Sequence, residues 1–390
     1  MHIVIAPDKF KGSLTAVRAA DAVARGVRSA APTASVRCLP VADGGEGTVE
    51  AVVAAGFTRC EQTVRGPTGT DVAAAFAVRD GTAVVEMAEA SGLGRLPAGE
   101  PAPLTASTYG TGQLVVAALD TGAHSIVLGI GGSATTDGGA GMAQALGARL
   151  LDGSGAELAP GGAALIDLDR IDVGGLDPRI VAAEVTVACD VDNPLVGPTG
   201  AAAVYGPQKG ASERDIAQLD AALGNYADVI RRDLNVDVAQ LTGAGAAGGL
   251  GAGAIAFLEA RLTSGIELLL EVIGFTDALQ AADLVITGEG ALDEQSLAGK
   301  APVGVASAAR ARGVPVIALC GRLALTPDEL QRAGISKAVS LLDLEPDLDR
   351  AQRNAYSLLT QLSARTLRTF VGNQQDTETH RPSERTAGKT

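Results

Sequence analysis

The chain has 390 residues, 46% hydrophobic and 3% aromatic, with 31 Lys and Arg against 45 Asp and Glu, a formal charge of −14. That size and apolar content suit about two globular domains, while the acidity, the lack of tryptophan and the lack of a basic stripe argue against nucleic-acid binding. No apolar run is long enough for a membrane span, MHIVIAPDKFKG has no basic region ahead of a long apolar core, and four scattered cysteines without a CxxC pair fit a reduced, cytoplasmic protein with no structural zinc.

In chain order, HIVIA (2–6) reads as a short apolar strand, followed by the loop PDKFKGSLTA (7–16) and a helix near 14–30. SVRCLPV (35–41) is a second strand, and DGGEG (43–47) opens a helix through VEAVVAA (49–55). Three glycines crowd that start, although each Gly inside a helix costs roughly 1 kcal/mol against Ala. DGGAG (137–141) repeats the pattern ahead of MAQALGA (142–148). Both starts require bare backbone, either so that amides can approach an anion or so that helix and strand can pack closely. Residues 61–92 hold strand-like runs broken by Gly-Pro and Asp-Gly turns, which predicts an antiparallel region.

A helix, the strand SIVLGIGG (125–132), a Gly-rich loop and another helix follow over 112–150, and VTVACDV (185–191) is a strand ending in carboxylates. Helices are expected over 213–234 and 254–272. ADLVITGEG (282–290), VPVIALCG (314–321) and KAVSLLD (337–343) alternate with helices, the doubly wound rhythm. From 372 the chain is polar and aperiodic, which predicts a disordered tail.

Polar groups beyond the carboxyl ends of parallel strands stand where ligands bind. Asp8, Lys9, Lys11 and Ser13 occupy such a place after the first strand; the plain alternative is a solvated loop with Ser13 or Thr15 capping the helix. GIGGSATTDGGAG (129–141) can offer backbone N–H groups to phosphate oxygens. Gly129, Gly131 and Ala134 also satisfy GxGxxA, with Asp152 about twenty residues on, so an NAD-dependent oxidoreductase is a rival. A Walker A loop is excluded because Glu294 stands where it needs glycine. With three histidines, imidazole chemistry is poorly supplied. Carboxylates are not: Asp43, Glu46, Asp137, Asp190, Asp192, Glu289, Asp293 and Glu294 lie in Gly-rich or strand-end contexts. Phosphoryl transfer uses such a set, with one carboxylate taking the proton of the attacking hydroxyl, others on Mg²⁺, and Lys or amide N–H groups on the charge.

APDKFKGSLTA, PVADGGEGT, STYGTGQL, GIGGSATTDGGAG, ACDVDNPLVG, YGPQKGA, GAGAAGGLGAG and ITGEGALDEQS resemble, in order and over about residues 2–370, the signature segments of the bacterial glycerate kinase family of the glycerate 2-kinase type. The resemblance implies two α/β domains: a discontinuous Rossmann- or flavodoxin-like doubly wound sheet (1–60 and 283–371) and an inserted α/β domain with a mixed sheet (61–282), followed by the tail 372–390. It implies ATP- and Mg²⁺-dependent phosphorylation of D-glycerate to 2-phosphoglycerate, with 3-phosphoglycerate as the alternative product, in a cytoplasmic monomer or homodimer that binds neither nucleic acid nor membrane.

On the matching positions, Asp190, Lys11 and Asp8 are the expected catalytic residues. Ser107, Thr108, Tyr109, Gly110 and Asp43 are expected on substrate. Gly131, Gly132, Ser133, Gly288, Glu289 and Lys300 are expected on nucleotide or phosphate, and Asp293 and Asp43 on metal. Lys9 stands where the family usually has Ser, Thr136 where Asn is common, and Ala291 where Arg is usual, which weakens one expected phosphate contact. A regulatory protein that binds a sugar acid without turnover also stays open.

Overall fold

The apolar run HIVIAP forms the first strand, β1 (His2–Pro7), buried at every position after His2, as a parallel strand covered on both faces should be. The computed structural model describes residues 1–298 and 300–379. The next strands are β2 (Ser35–Cys38), β3 (Thr58–Arg65), β4 (Asp71–Arg79), β5 (Thr82–Glu86), β6 (Ser125–Gly129), β7 (Arg149–Asp152) and β8 (Leu168–Asp172). They are followed by β9 (Glu184–Ala188), β10 (Arg261–Thr263), β11 (Leu284–Leu292), β12 (Val316–Leu323) and β13 (Lys337–Ser340). The elements form two units. One comprises Met1–Pro40, Thr276–Ala298 and the chain from Val305 onward; the other comprises Val41–Phe275 with residues 299–304.

The first unit is built on a parallel sheet of order β13-β12-β11-β1-β2. Counted within this unit the order is 2-1-3-4-5, so the winding reverses between β1 and β11, where Ile5 lies across from Ile286 and Pro7 from Gly288. Such a reversal opens a crevice beyond the carboxyl ends of the two strands. The helix Ala16–Ala30 starts where the Thr15 hydroxyl accepts from the Arg18 N–H at 3.3 Å, and it buries a stripe of Ala19, Val23 and Val27. That stripe shares a core with Ile5, Ile286 and Leu359. The last helix, Ala355–Thr379, runs past residue 372, where the sequence pattern places the start of a disordered tail. A formed helix needs only propagation, and the next proline is Pro382; residues 380–390 lie outside the described residues.

The second unit carries a mixed sheet of order β10-β9-β6-β5-β4-β3. β10, β9, β6 and β5 are parallel, whereas β4 pairs antiparallel with both β5 and β3, matching the turn-broken pattern of 61–92. Leu114 of the helix Tyr109–Asp120 and Tyr226 of the helix Glu213–Leu234 belong to the same core as Ile126 and Leu128 of β6. The segment 41–60, with DGGEG and the helix Thr48–Ala54, belongs to this unit. The single helix expected over 254–272 is instead two, Ala246–Leu258 and Gly265–Val272, with β10 between them. Glu259 ends the first by taking a left-handed φ of 51°, and Arg261–Thr263 then pairs with β9 as an edge strand. Among the described residues no helix is long and apolar enough to cross a membrane.

Gly26 marks where the helix Ala16–Ala30 meets the last helix: a Cβ there would lie 1.9 Å from Ser363 Oγ and 2.2 Å from the Thr360 carbonyl oxygen. Helix propensity alone favours Gly26→Ala by roughly 1 kcal/mol, but a backbone carbonyl cannot step aside. The variant is expected to be less stable by about 1–3 kcal/mol, read from the urea midpoint. A gain in stability would show that the two helices separate freely.

Candidate active site

Backbone segments converge at the carboxyl ends of β6 and β9 in the second unit, and glycine makes the convergence possible. A Cβ on Gly129 would lie 2.6 Å from the Gly44 carbonyl oxygen, one on Gly131 2.6 Å from Gly45 Cα, and one on Gly44 2.5 Å from Ala188 Cβ. One on Gly265 would lie 2.2 Å from the Asp43 carbonyl oxygen. The Gly131 N–H donates to the Gly44 carbonyl at 3.1 Å and locks two of the segments together. Beyond them lies a pocket of about 220 Å³ lined by Asp43, Gly131, Gly132, Ser133, Asp190, Tyr205 and Gln208 among others, with no Lys, Arg or His in its wall among the described residues.

Asp190 and Asp43 supply the charge of this pocket. Asp190 Oδ1 accepts from the Gly265 N–H at 2.8 Å, while the residue remains solvent-exposed. Desolvation pushes its carboxyl above the usual range; the Gly265 bond opposes the rise and the negative charge of Asp43 adds to it. Asp43 Oδ1 accepts from the Gly45 N–H at 3.3 Å in a local turn. The amides of Gly132 and Ser133 donate to no acceptor among the described residues, and the Tyr205 hydroxyl donates to Asn193 Oδ1 at 2.6 Å.

The two Gly-rich helix starts are not free anion sites. Glu86, buried at the end of β5, accepts from the N–H groups of Gly47 at 3.2 Å and Val49 at 3.0 Å, which satisfies the start of the helix Thr48–Ala54. Asp137 does the same for the helix Ala140–Ala145, accepting from Gly139 and Gly141, both at 3.2 Å. A carboxylate at a helix N-terminus satisfies orphan donors and suits the dipole, so these amides have no donor left for a ligand. The glycines answer a packing demand instead. Gly138, at φ 64°, would place a Cβ 2.6 Å from the Tyr226 ring, and Gly141 one 2.2 Å from Ser107 Oγ.

Asp137 also organises the segment expected on substrate. Its Oδ2 accepts from the N–H and the hydroxyl of Thr108 at 2.8 and 2.9 Å, and the Thr108 hydroxyl oxygen accepts from Met142 N–H at 2.9 Å. Ser107 and Gly110 are buried, Tyr109 carries the Arg65 guanidinium 4.6 Å over its ring, and none of Ser107, Thr108, Tyr109 and Gly110 lines the pocket. Burial pushes the Asp137 carboxyl up despite these donors. Behind the loop the fully buried Lys209 donates from Nζ to the Thr135 carbonyl; burial pulls its ammonium down to about 7, against the charge of Asp137. Glu86 and Lys209 were not legible as site elements. The only signals were an acid closing an apolar strand and a lysine in the turn PQKG.

In the first unit, Asp8 follows β1 and Glu289 sits in β11, both buried, at the reversal of winding. The Asp8 N–H donates to the Gly288 carbonyl at 2.8 Å. A Cβ on Gly288 would lie 1.9 Å from the Leu319 carbonyl oxygen and one on Gly290 3.0 Å from the Lys11 nitrogen, so the floor of the crevice is bare backbone. Lys11 is exposed at its rim. The Ser296 hydroxyl donates to Glu289 and accepts from the Asp293 N–H at 3.1 Å, fastening the turn that carries Asp293. Ala291 lies across from the exposed Arg322 of β12. Lys300 belongs to the 299–304 segment of the second unit, where its carbonyl accepts from Val303 and Gly304. Among the described residues no group of three or more His, Cys, Asp or Glu could hold a metal ion by itself.

The dinucleotide alternative fails on geometry. Asp152 turns back onto its own hairpin, accepting from Ser154 N–H at 2.8 Å and Ala156 N–H at 3.0 Å, and the helix after the GxGxxA loop is capped by Asp137.

Comparison with known proteins points one way. A model of the glycerate kinase family matches residues 3–371. The glycerate kinase of Halalkalibacterium halodurans is 51% identical over 362 residues, 92% of this chain and 95% of that protein. The glycerate 2-kinase of Escherichia coli is 49% identical over 367 residues, 93% of this chain and 96% of that protein. A crystal structure described as a glycerate kinase 2 from Salmonella typhimurium LT2 superposes with a TM-score of 0.85 at 45% identity, covering 96% of this chain and 99% of that one.

The capping role of Glu86 is directly testable. Glu86→Ala strands two helix N–H groups in a buried place and is expected to lower stability by about 1–3 kcal/mol, measured by chemical denaturation. An unchanged midpoint would mean that water satisfies those amides.

Proposed function

The chain belongs to the glycerate kinase family, and we propose from this membership and the pocket of the second unit that it transfers the γ-phosphoryl group of ATP to the 2-hydroxyl of D-glycerate. One observation carries the assignment of chemistry: Asp190 is an accessible carboxylate with a raised proton affinity at the end of β9. The Gly265 N–H fixes its Oδ1 and the Ser264 side chain also donates to the carboxylate, which stays open to solvent and can accept the proton of the attacking hydroxyl. The Tyr205 hydroxyl and the Gln208 amide give the same pocket the polar groups a small hydroxy acid needs. The uncommitted amides of Gly132 and Ser133 suit the negative charge of the transferring phosphoryl group. The name of the Escherichia coli relative supports position 2 over position 3.

The donor set fits a hard divalent cation, since the pocket wall offers carboxylate oxygens and, among the described residues, no competing side-chain cation. Mg²⁺ takes one or two carboxylates and keeps water and phosphate oxygens for the rest. Asp43 would hold it, with Asp293 as the candidate in the first unit. When bound, Mg²⁺ neutralises charge on the transferring group. For the ATP phosphates we assign the crevice of the first unit, where Lys11 borders the bare backbone of Gly288 and Gly290 beside Glu289.

Purified protein given ATP, Mg²⁺ and D-glycerate is expected to release ADP and to yield 2-phosphoglycerate by ³¹P NMR, and EDTA should abolish the signal. A 3-phosphoglycerate signal would overturn the regiochemistry, and no turnover would leave the regulatory reading. Asp190→Asn should lower kcat by about 10²–10⁴, and near-normal kcat would remove Asp190 as the base. The base works ionised, so kcat/KM should fall as pH drops through its pKa. Because that pKa is raised, the acid limb should lie at higher pH than an ordinary aspartate gives, and it should disappear in the Asn variant.

A further inference from the structure

Lys209 is 1% exposed and closes the turn Pro207–Lys209; Gln208 of that turn and Tyr205 before it line the pocket. Its own side chain runs the other way, into the interior, and donates to the Thr135 carbonyl. Thr135 lies on the stretch that leads from the pocket-lining Gly131, Gly132 and Ser133 to Asp137. The backbone of Gly248 covers that carbonyl so closely that a Cβ there would lie 1.9 Å from it, and Gly162 covers the Thr136 carbonyl at 2.0 Å by the same measure. The Thr135 and Thr136 hydroxyls, equally buried, have no hydrogen-bond partner among the described residues. Lys209 thus gives this stretch its side-chain hydrogen bond.

A residue kept only to balance the charge of Asp137 would put its ammonium on that carboxylate. Four donors already occupy Asp137, two from Thr108 and one each from Gly139 and Gly141, and the ammonium goes to the loop carbonyl instead. Burying an ammonium is expensive unless it is hydrogen-bonded and faces an opposite charge. Here it has both, and the carbonyl it holds belongs to the loop that presents the uncommitted amides.

We propose that Lys209 is a positioning residue: from inside the second unit it fixes the loop of residues 131–136, so that the Gly132 and Ser133 amides point into the pocket as phosphoryl transfer requires. The catalytic half of this inference rests on the glycerate kinase reading; the half concerning loop order does not.

Two variants test it, Lys209→Met, which removes the donor, and Lys209→Gln, which keeps a shorter one and carries the test if the Met variant does not fold. Hydrogen exchange followed by mass spectrometry, at a temperature where the variant has the wild-type circular dichroism, should show amides of residues 129–136 exchanging about tenfold faster or more. Small displacements of catalytic groups lose much of the rate, so kcat should fall at least about tenfold while the KM for D-glycerate stays within about threefold. Unchanged loop exchange would overturn the inference, and so would a loosened loop with wild-type kcat. If the wild-type protein fails to phosphorylate glycerate, the reaction reading falls, and loop exchange alone decides the role of Lys209.

Discussion

The pocket of the second unit depends on backbone lying against backbone. Four segments, around Gly44, Gly129 and Gly131, Ala188 and Gly265, approach so closely that a single Cβ would push them apart. Close-packed interiors do not absorb such an atom without strain. Because the segments touch, the loop after β2 lies directly against the ends of β6 and β9, and Asp43 and Asp190 share one wall. Glycine is a poor choice for local order, since its unfolded state is the freest. Its use here is therefore a packing requirement that overrides propensity. Gly44, at φ 87°, meets two demands with one residue, a left-handed backbone and the absence of a side chain.

Charge is managed by the same economy of placement. The chain is strongly acidic, yet two of its acids, Glu86 and Asp137, are buried where helix N-termini supply donors and a favourable dipole. For Asp137 desolvation still raises the proton affinity of the carboxyl, against the pull of four donors. Asp190 differs in keeping solvent on one side, so its raised proton affinity comes with access, which a base requires. Among the described residues no cation lines the pocket wall, whereas Lys11 and Arg322 are exposed at the carboxyl end of the parallel sheet in the first unit.

Much of this was legible in the sequence, and the reasons are physical. Apolar runs such as HIVIA and SIVLG admit few conformations, and the turn pattern of 61–92 marked the antiparallel strands. The alternation of strands and helices fixed the winding of the parallel sheet, and with it the place of Asp8 and Glu289. The break in 254–272 was hidden because a three-residue edge strand carries no periodicity of its own; the left-handed Glu259 that ends the helix is not a residue type that announces a stop. Ser107 and Thr108 lie off the pocket wall, and the Thr108 hydroxyl donates to Asp137, 29 residues away, a pairing that no local pattern announces because hydroxyl side chains serve helix starts and ligands equally well.

The carboxylates show where sequence reasoning stops. Asp43, Asp137, Asp190, Glu289 and Asp293 look alike in the sequence, each an acid beside glycine or at a strand end. What separates them is the fate of their lone pairs. Asp137 has spent its oxygens on four donors, and Glu289 accepts from Ser296. Asp293 closes its own turn by accepting from the Gln295 N–H at 3.1 Å. Asp190 accepts from the Gly265 N–H on Oδ1 and from the Ser264 side chain, and remains exposed to solvent. A general base must hold an open lone pair, a matched proton affinity and a fixed orientation together. On the proposed reading of Asp190 the Gly265 N–H and the Ser264 side chain supply the orientation, burial beside Asp43 supplies the affinity, and solvent exposure supplies the access. That conjunction arises only when residues 43, 190 and 265 are brought together by the fold, so the family resemblance pointed to Asp190 while residue type and spacing alone did not separate it from the other acids.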